Sequence, residues 1–311
     1  MDHKGALRRF LIVSFGFTWL CWVPVTLATY GLPSFTNPFP SGWFNDFLSG
    51  GPLSLSHWLI LAGGVLGPLF GAIAGWQWLG GSEGVRALAH HLTSLRISDA
   101  SGWLASLIPV AIFGIASLAV WVLSAVVIGV NVPISMFLFG ILAGALLIAG
   151  EEMGWRGTQL PLLQEKRSAI VSSLIVAITW ALWHIPLLLM GAAREGDDAS
   201  YMAINLASAL IPYLLLTIPL TIAHTFVFNS ARGLIVVPII THSLANAFNA
   251  DMGPISGSED QITAVAGIAG PILMASFWLV GLGLWALFKG QSLSWREKIT
   301  VNLMLERARS S

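Results

Sequence analysis

Long apolar segments alternate with short polar ones along the whole chain. Segments near the ~20 residues that cross a bilayer recur eight times, at 10–30, 56–79, 102–130, 133–155, 168–190, 202–228, 233–250 and 263–288. Lipid offers no partners to backbone N–H and C=O groups, so apolar segments of this length form helices. We therefore predict an all-α polytopic membrane protein with about eight transmembrane helices, in a single integral membrane domain over 1–311.

Composition supports a membrane protein and excludes other classes. Hydrophobic residues make up 56% of the chain and charged residues only 10%, whereas a soluble domain carries about 25% charged residues. The net charge is zero, so no nucleic-acid partner is predicted. Cys21 is the single cysteine, which excludes an internal disulfide. We interpret 10–30 as a spanning helix because it is too long for the apolar part of a signal peptide.

The lysines and arginines predict the orientation. Fourteen of the fifteen fall before the first helix, after the last one, or in connections on that same side, and Arg194 alone falls on the other. Cytoplasmic segments collect Lys and Arg, so both termini are expected in the cytoplasm. Two amphipathic segments on this side, 82–97 and the tail after 289, are expected to lie on the membrane surface.

A few strongly polar side chains lie within or beside the apolar segments. Ionisable residues are rare at membrane depth and are functional by default. These residues are Glu151, Glu152, Arg156, His184, His224, His242 and Asn246. The structural alternatives are a buried ion pair, a histidine that bridges helices, and an interhelical hydrogen-bonding pair.

The two adjacent glutamates are expected to have different roles. Glu152 and Arg156 are four residues apart, so they share a helix face and can pair. Glu151 points ~100° away from Glu152 on a helix of 3.6 residues per turn, and is left without a local cation. A carboxylate in such a position can act as a general base.

Distances along the helices test whether these groups can meet. Glu151 and His184 have their midpoint in the polar segment 164–168, where we predict the turn of a helical hairpin. Both would lie ~24 Å from that turn, whereas His242 lies only ~15 Å from its own cytoplasmic end. Glu151, His184 and His242 would lie at the same depth in the membrane if the first helix of the hairpin continues through 157–164. The hairpin would then protrude from the membrane by about six residues. We therefore expect one polar site about midway into the bilayer, open to the cytoplasm.

Two hydrolytic chemistries suit this site. In one, His184 and His242 ligate Zn²⁺ and Glu151 is a third ligand or the base. In the other, Glu151 and His184 activate water, while His242 and Asn246 donate to the oxyanion. The H-E-x-x-H signature of many zinc proteases is missing from the sequence.

Three motifs resemble those of the CPBP family of CAAX-protease and bacteriocin-processing (abortive-infection) membrane proteins. The motifs are EEMGWR at 151–156 (E-E-x-x-x-R), WALWH at 180–184 (F-x-x-x-H) and HSLAN at 242–246 (H-x-x-x-N), within a core region at 134–250. Trp180 departs from the usual Phe and is expected to be a packing residue of little consequence.

The resemblance implies an intramembrane endopeptidase, metallo- or glutamate-type, in a cell membrane, with a bacterial plasma membrane favoured. Members of the type II CAAX prenyl protease group remove the last three residues of a prenylated C-terminus. By the same resemblance Glu151 and His184 would activate water, His242 and Asn246 would hold the oxyanion, and Glu152 and Arg156 would support the site. The expected partners are the lipid bilayer and a membrane-associated peptide or protein substrate, lipidated or not.

Two other functions remain open on the sequence. A non-catalytic membrane protein, for example in bacteriocin self-immunity, could use the same polar cluster to bind a partner. A transporter is less favoured, because its polar residues should line a path to both faces, whereas here they gather at one level.

Overall fold

The computed structural model describes residues 1–39, 52–93, 100–129, 134–246, 259–295 and 297–310. Within these ranges the chain is helical and contains no strand, which confirms the all-α prediction. The helices are α1 (His3–Thr29), α2 (Leu55–Thr93), α3 (Ala100–Leu123), α4 (Ile134–Gly154), α5 (Leu160–Gln164), α6 (Ala169–Trp183), α7 (Ile185–Ala192), α8 (Met202–Ser230), α9 (Val236–Asn246), α10 (Glu259–Phe288) and α11 (Val301–Arg309).

The predicted polytopic membrane architecture is confirmed. In the described part of the chain, five helical segments are long and apolar enough to cross a bilayer. Helices α6 and α7 meet at a 53° bend and form a sixth crossing if they are counted together. Helix α4 has 21 residues and α9 has 11, and residues 247–250 of the predicted span 233–250 lie outside the described residues. The count of eight and the side of the termini remain predictions.

Helices α1 and α2 pack closely through small residues. Gly67 and Gly71 of α2 face α1, where a Cβ atom at either position would collide with the side chain of Thr18 or Ser14. The hydroxyl of Thr18 donates to the carbonyl of Gly63 at 2.7 Å. Small residues let backbones approach in membranes, where packing rather than hydrophobicity drives association. This close contact fixes the position of α2, the helix against which α4 packs.

The helical hairpin forms at the predicted place. Helix α4 passes through a π-helical turn at Trp155–Gln159 into α5, and α6 begins at Ala169 with Ser168 as its N-cap. Gly157 and Pro161 therefore do not end the helical path. A π-bulge displaces a carbonyl from the regular ladder, and here the Trp76 indole donates to the carbonyl of Gly157 at 3.0 Å.

The amphipathic segment after the kink at Gly80 and Gly81 packs on protein. Leu88 is buried and lies near Gly157 and Ile235. Helix α11 covers the same side, burying Val301, Met304 and Leu305. The apolar side of this segment therefore faces protein, and residues 94–97 of the predicted amphipathic segment lie outside the described residues.

Candidate active site

A buried ion pair forms the base of the site. The Arg156 guanidinium donates from Nη1 to Oε1 of Glu152 at 2.7 Å, and both side chains are fully buried. This confirms the predicted pair. The same carboxylate oxygen lies 2.8 Å from Nδ1 of His242, a contact that the sequence did not reveal. Because a carboxylate accepts hydrogen bonds, the Nδ1–H of His242 donates to Glu152, which fixes the orientation of the imidazole.

Trp180 lies at the centre of the polar groups. Its indole N–H donates to Oε2 of Glu151 at 2.8 Å. The ring lies edge-on to His242 at 5.1 Å between centroids, and the guanidinium carbon of Arg156 lies 4.8 Å from the ring centroid. The expectation that Trp180 merely packs was therefore wrong, because the indole carries a hydrogen-bond donor that phenylalanine lacks.

His184 occupies the bend between α6 and α7. Its Nδ1 lies 3.0 Å from the carbonyl oxygen of Trp180 and 3.1 Å from the hydroxyl of Tyr213. Pro186 lacks an N–H and so cannot continue the helical hydrogen bonds of α6. At the same bend, the carbonyl of Trp183 accepts from the indole of Trp19 at 3.0 Å. The break therefore holds the imidazole in place and leaves its Nε2 without a bond to any described residue.

The predicted residues converge as the helix arithmetic requires. Glu151, His184 and His242 each contact Trp180, and Glu152 and Arg156 join the cluster through His242 and the indole face. Glu151 forms no ion pair within the described residues. Asn246 ends the described part of α9, one turn beyond His242, and makes no hydrogen bond to a described residue. The catalytic roles assigned to these residues remain predictions.

Several further polar groups reach the cluster from α8. The hydroxyl of Thr221 lies 3.5 Å from Nη2 of Arg156. His224 is fully buried, its ring lies 5.4 Å from that of His242, and neither of its nitrogens has a hydrogen-bond partner in the described structure. The sequence analysis missed Thr221 and Tyr213. Their spacing could have found them, because the polar residues of α8 recur at helical intervals, at Tyr213, Thr217, Thr221 and His224.

The predicted metal site is incomplete in the described structure. Among these residues, no three His, Cys, Asp or Glu side chains lie close enough together to hold one ion. Nε2 of His184 and Nε2 of His242 have no protein partner there. A carboxylate that orients a histidine from behind, as Glu152 does, is also common behind metal-bound imidazoles. Zinc therefore remains a prediction, and the chemistry proposed below uses protein side chains.

Comparison with known proteins supports the family resemblance. Residues 131–248 match the model of the type II CAAX prenyl endopeptidase Rce1-like family. CAAX prenyl protease 2 of Methanococcus maripaludis is 30% identical over 99 residues, which cover 31% of this chain and 34% of the relative. The match thus spans about a third of either protein. The segment that carries all three motifs matches the Rce1-like model, which confirms the predicted resemblance to the CPBP family.

Proposed function

We propose that this protein is an integral membrane endopeptidase that cleaves a membrane-associated peptide with water activated by Glu151 and His184. The observation that carries the proposal is the cluster around Trp180. It brings three groups to one place between helices: a carboxylate that forms no ion pair with a described residue, and two imidazoles whose Nε2 atoms bond to no described residue. The Rce1-like match of the same segment supports hydrolysis of a peptide bond.

The geometry supports a simple sequence of bond changes. A water held by Glu151 and Nε2 of His184 gives a proton to the carboxylate, and its oxygen bonds to the scissile carbonyl carbon. The π electrons move to the carbonyl oxygen, where the amide of Asn246 donates a hydrogen bond. When the intermediate collapses, the C–N bond breaks and the proton passes from Glu151 to the amine nitrogen. The products are a carboxylic acid and an amine, and the acid then ionises and the amine takes up the released proton.

The surroundings favour a lipid-borne substrate. Large apolar side chains cover the exterior, including Leu20, Leu146 and Leu279, each 70% exposed or more. A peptide that is anchored in the bilayer can therefore approach along the lipid-facing helices. The similar protein from Methanococcus maripaludis is named for a prenylated substrate class, so we propose a prenylated C-terminal cysteine followed by three residues as the first substrate to test.

Purified protein with a fluorogenic peptide that ends in a farnesylated cysteine and three further residues provides the test. We expect Glu151→Gln and His184→Gln each to lower kcat at least ~1,000-fold, since each removes a partner of the nucleophilic water. Glu195→Gln is the matched control, because this exposed glutamate lies on the far side of the bend. Full activity in both site variants would overturn the proposal.

Experiments with the same purified protein and peptide also distinguish the peptidase from a binding protein, and the two hydrolytic schemes from each other. Tight binding of the farnesylated peptide by the wild-type protein, without cleavage, would favour the non-catalytic binding function. If cleavage occurs, elemental analysis and a chelator titration distinguish the two hydrolytic schemes. Activity that a chelator removes and zinc restores supports the metal scheme, and activity of metal-free protein supports the scheme above.

A further inference from the structure

A surface pocket lies between the second half of α2 and helix α11, away from the candidate active site. Its volume is about 400 Å³, which is within the range of ~300–1,000 Å³ that small-molecule sites occupy. The buried side chains of Ala87 and Leu305 contribute to its apolar floor. Its polar walls come from both helices and are formed by Glu83, Arg86, His90 and Arg309. The pocket therefore combines an apolar floor with a charged rim.

The charges of this rim favour an anionic ligand. Two arginines face one carboxylate, so the rim has an excess of positive charge even when His90 is neutral. Nε of Arg309 donates to Oε1 of Glu83, and the two terminal nitrogens of its guanidinium bond to no described residue. The side chain of Arg86 makes no hydrogen bond or ion pair with a described residue. Guanidinium groups with free donors match the oxygens of a phosphate group.

The backbone of α2 places this pocket at the level where the membrane-spanning part of the helix ends. Gly80 and Gly81 have non-helical backbone angles, and a Cβ atom at Gly84 would collide with the carbonyl oxygen of Trp76. In an uninterrupted helix these two residues would be ~12 Å apart along the axis. The chain therefore turns back at the two glycines, and the segment that carries Arg86 returns to the depth of Trp76.

The neighbouring tryptophan identifies this depth as the membrane interface. Trp78 is 46% exposed, and the guanidinium carbon of Arg9 lies 3.8 Å from the centroid of its ring. Its indole N–H donates to the carboxylate of Asp2 at 3.3 Å. Tryptophans with one apolar side and one polar edge collect at the level of the lipid headgroups. The pocket therefore opens where phosphate groups of the bilayer are the most abundant anions.

We propose that this pocket binds the headgroup of an anionic phospholipid, with Arg86 and Arg309 as the ligands of its phosphate. The apolar floor contacts the glycerol backbone, which a free phosphate ion does not have. A zwitterionic headgroup is disfavoured because its ammonium group meets the excess positive charge of the rim. Basic residues at the cytoplasmic surface attract anionic lipids, and this is the side on which both termini are predicted to lie. The pocket shares no residue with the proposed active site, and the inference does not rest on peptidase activity.

Native mass spectrometry of the full chain, delipidated in detergent and titrated with palmitoyl-oleoyl-phosphatidylglycerol, tests the proposal. We expect the Kd of the first bound lipid to rise about fivefold in Arg86→Gln and about 25-fold when Arg309→Gln is added, since each arginine near an anionic headgroup contributes about fivefold. The wild-type protein should bind phosphatidylcholine of the same acyl chains more weakly. The matched control combines Lys166→Gln and Arg167→Gln, which remove two exposed charges outside the pocket and should leave the Kd nearly unchanged.

Several results would overturn the site. An equal loss of affinity in the pocket and control variants would show a general charge attraction instead of a pocket. Equal affinity of the wild-type protein for the two lipids would refute the preference for an anion. Displacement of the lipid by an equal concentration of inorganic phosphate would reassign the pocket to a soluble ligand. Arg86→Gln breaks no hydrogen bond or ion pair within the described residues, so wild-type affinity in this variant would refute the proposal even if the double variant failed to fold.

Discussion

The indole of Trp180 joins groups from three helices, since it donates to Glu151 of α4 and contacts His242 of α9 from its own position in α6. Its N–H is the only hydrogen-bond donor that Glu151 has within the described residues. A carboxylate that serves as base must keep one oxygen oriented while the other takes the proton. Trp180 therefore orients Glu151 as well as packing beside it.

Replacing this indole by the phenyl ring that the family motif usually has should expose its role. We expect Trp180→Phe to fold normally and to lose about tenfold in kcat, since a hydrogen bond to a charged group contributes about 1.5 kcal/mol. Trp285→Phe is the control, because Trp285 is half exposed on α10. Unchanged kcat in Trp180→Phe would show that Glu151 does not depend on the indole.

The buried ion pair between Glu152 and Arg156 leads to a prediction about stability rather than activity. Glu152→Gln leaves the buried Arg156 charge uncompensated, which should lower the free energy of unfolding by about 3–5 kcal/mol. Glu297→Gln breaks an exposed ion pair with Arg307, at 3.2 Å. This change should alter the free energy of unfolding by less than about 1 kcal/mol. Denaturant unfolding in detergent compares the two variants, and equal effects would contradict the buried pair.

At the scale of elements, the approach of α4 to α2 determines where Glu151 lies. A Cβ atom at Gly150 would collide with the carbonyl oxygen of Val65, a backbone atom that cannot rotate away. We expect Gly150→Ala to destabilise the protein by about 3 kcal/mol and to lower activity, because Glu151 is the next residue. Gly16 of α1 has open space around it, so Gly16→Ala should change neither thermal stability nor cleavage.

The helices and the hairpin could be predicted from local pattern, whereas the contacts between helices could not. Apolar length predicted the spanning helices, and the polar segment 164–168 located the turn. The bond between Trp180 and Glu151 joins residues 29 apart, and that between His242 and Glu152 joins residues 90 apart. Periodicity assigns a residue to a helix face but does not say which helix covers that face, so these partners required the folded structure.

At the scale of the whole molecule, the distribution of cations predicts the orientation in the membrane. Arg194 and Lys166 are both exposed and are predicted to lie on opposite sides. In intact cells, a membrane-impermeant maleimide should label Arg194→Cys, and should label Lys166→Cys only after permeabilisation. The native Cys21 is buried and should contribute little background. The reverse pattern would place both termini outside the cytoplasm.

The exterior of the molecule is apolar, unlike that of a soluble enzyme, and this explains which site residues the sequence could locate. Polar residues in apolar surroundings stood out, so Glu151, His184 and His242 were recognised as site candidates. Tyr213 and Trp180 were not recognised, because large apolar rings are ordinary in a membrane helix. Their polar O–H and N–H groups therefore do not stand out in the sequence. The sequence therefore identified the charged part of the site but not the aromatic residues that lie beside it.

Four buried polar atoms near the ion pair lack partners in the described structure: Oε2 of Glu152, Nε of Arg156 and both ring nitrogens of His224. Each such atom makes the native state less stable than an apolar side chain of the same shape would. Replacing Glu152, Arg156, His224 and His242 together by Leu, Met, Leu and Phe should thus raise the unfolding temperature and abolish cleavage. Selection of this chain for heat resistance alone should therefore accumulate substitutions at the candidate active site.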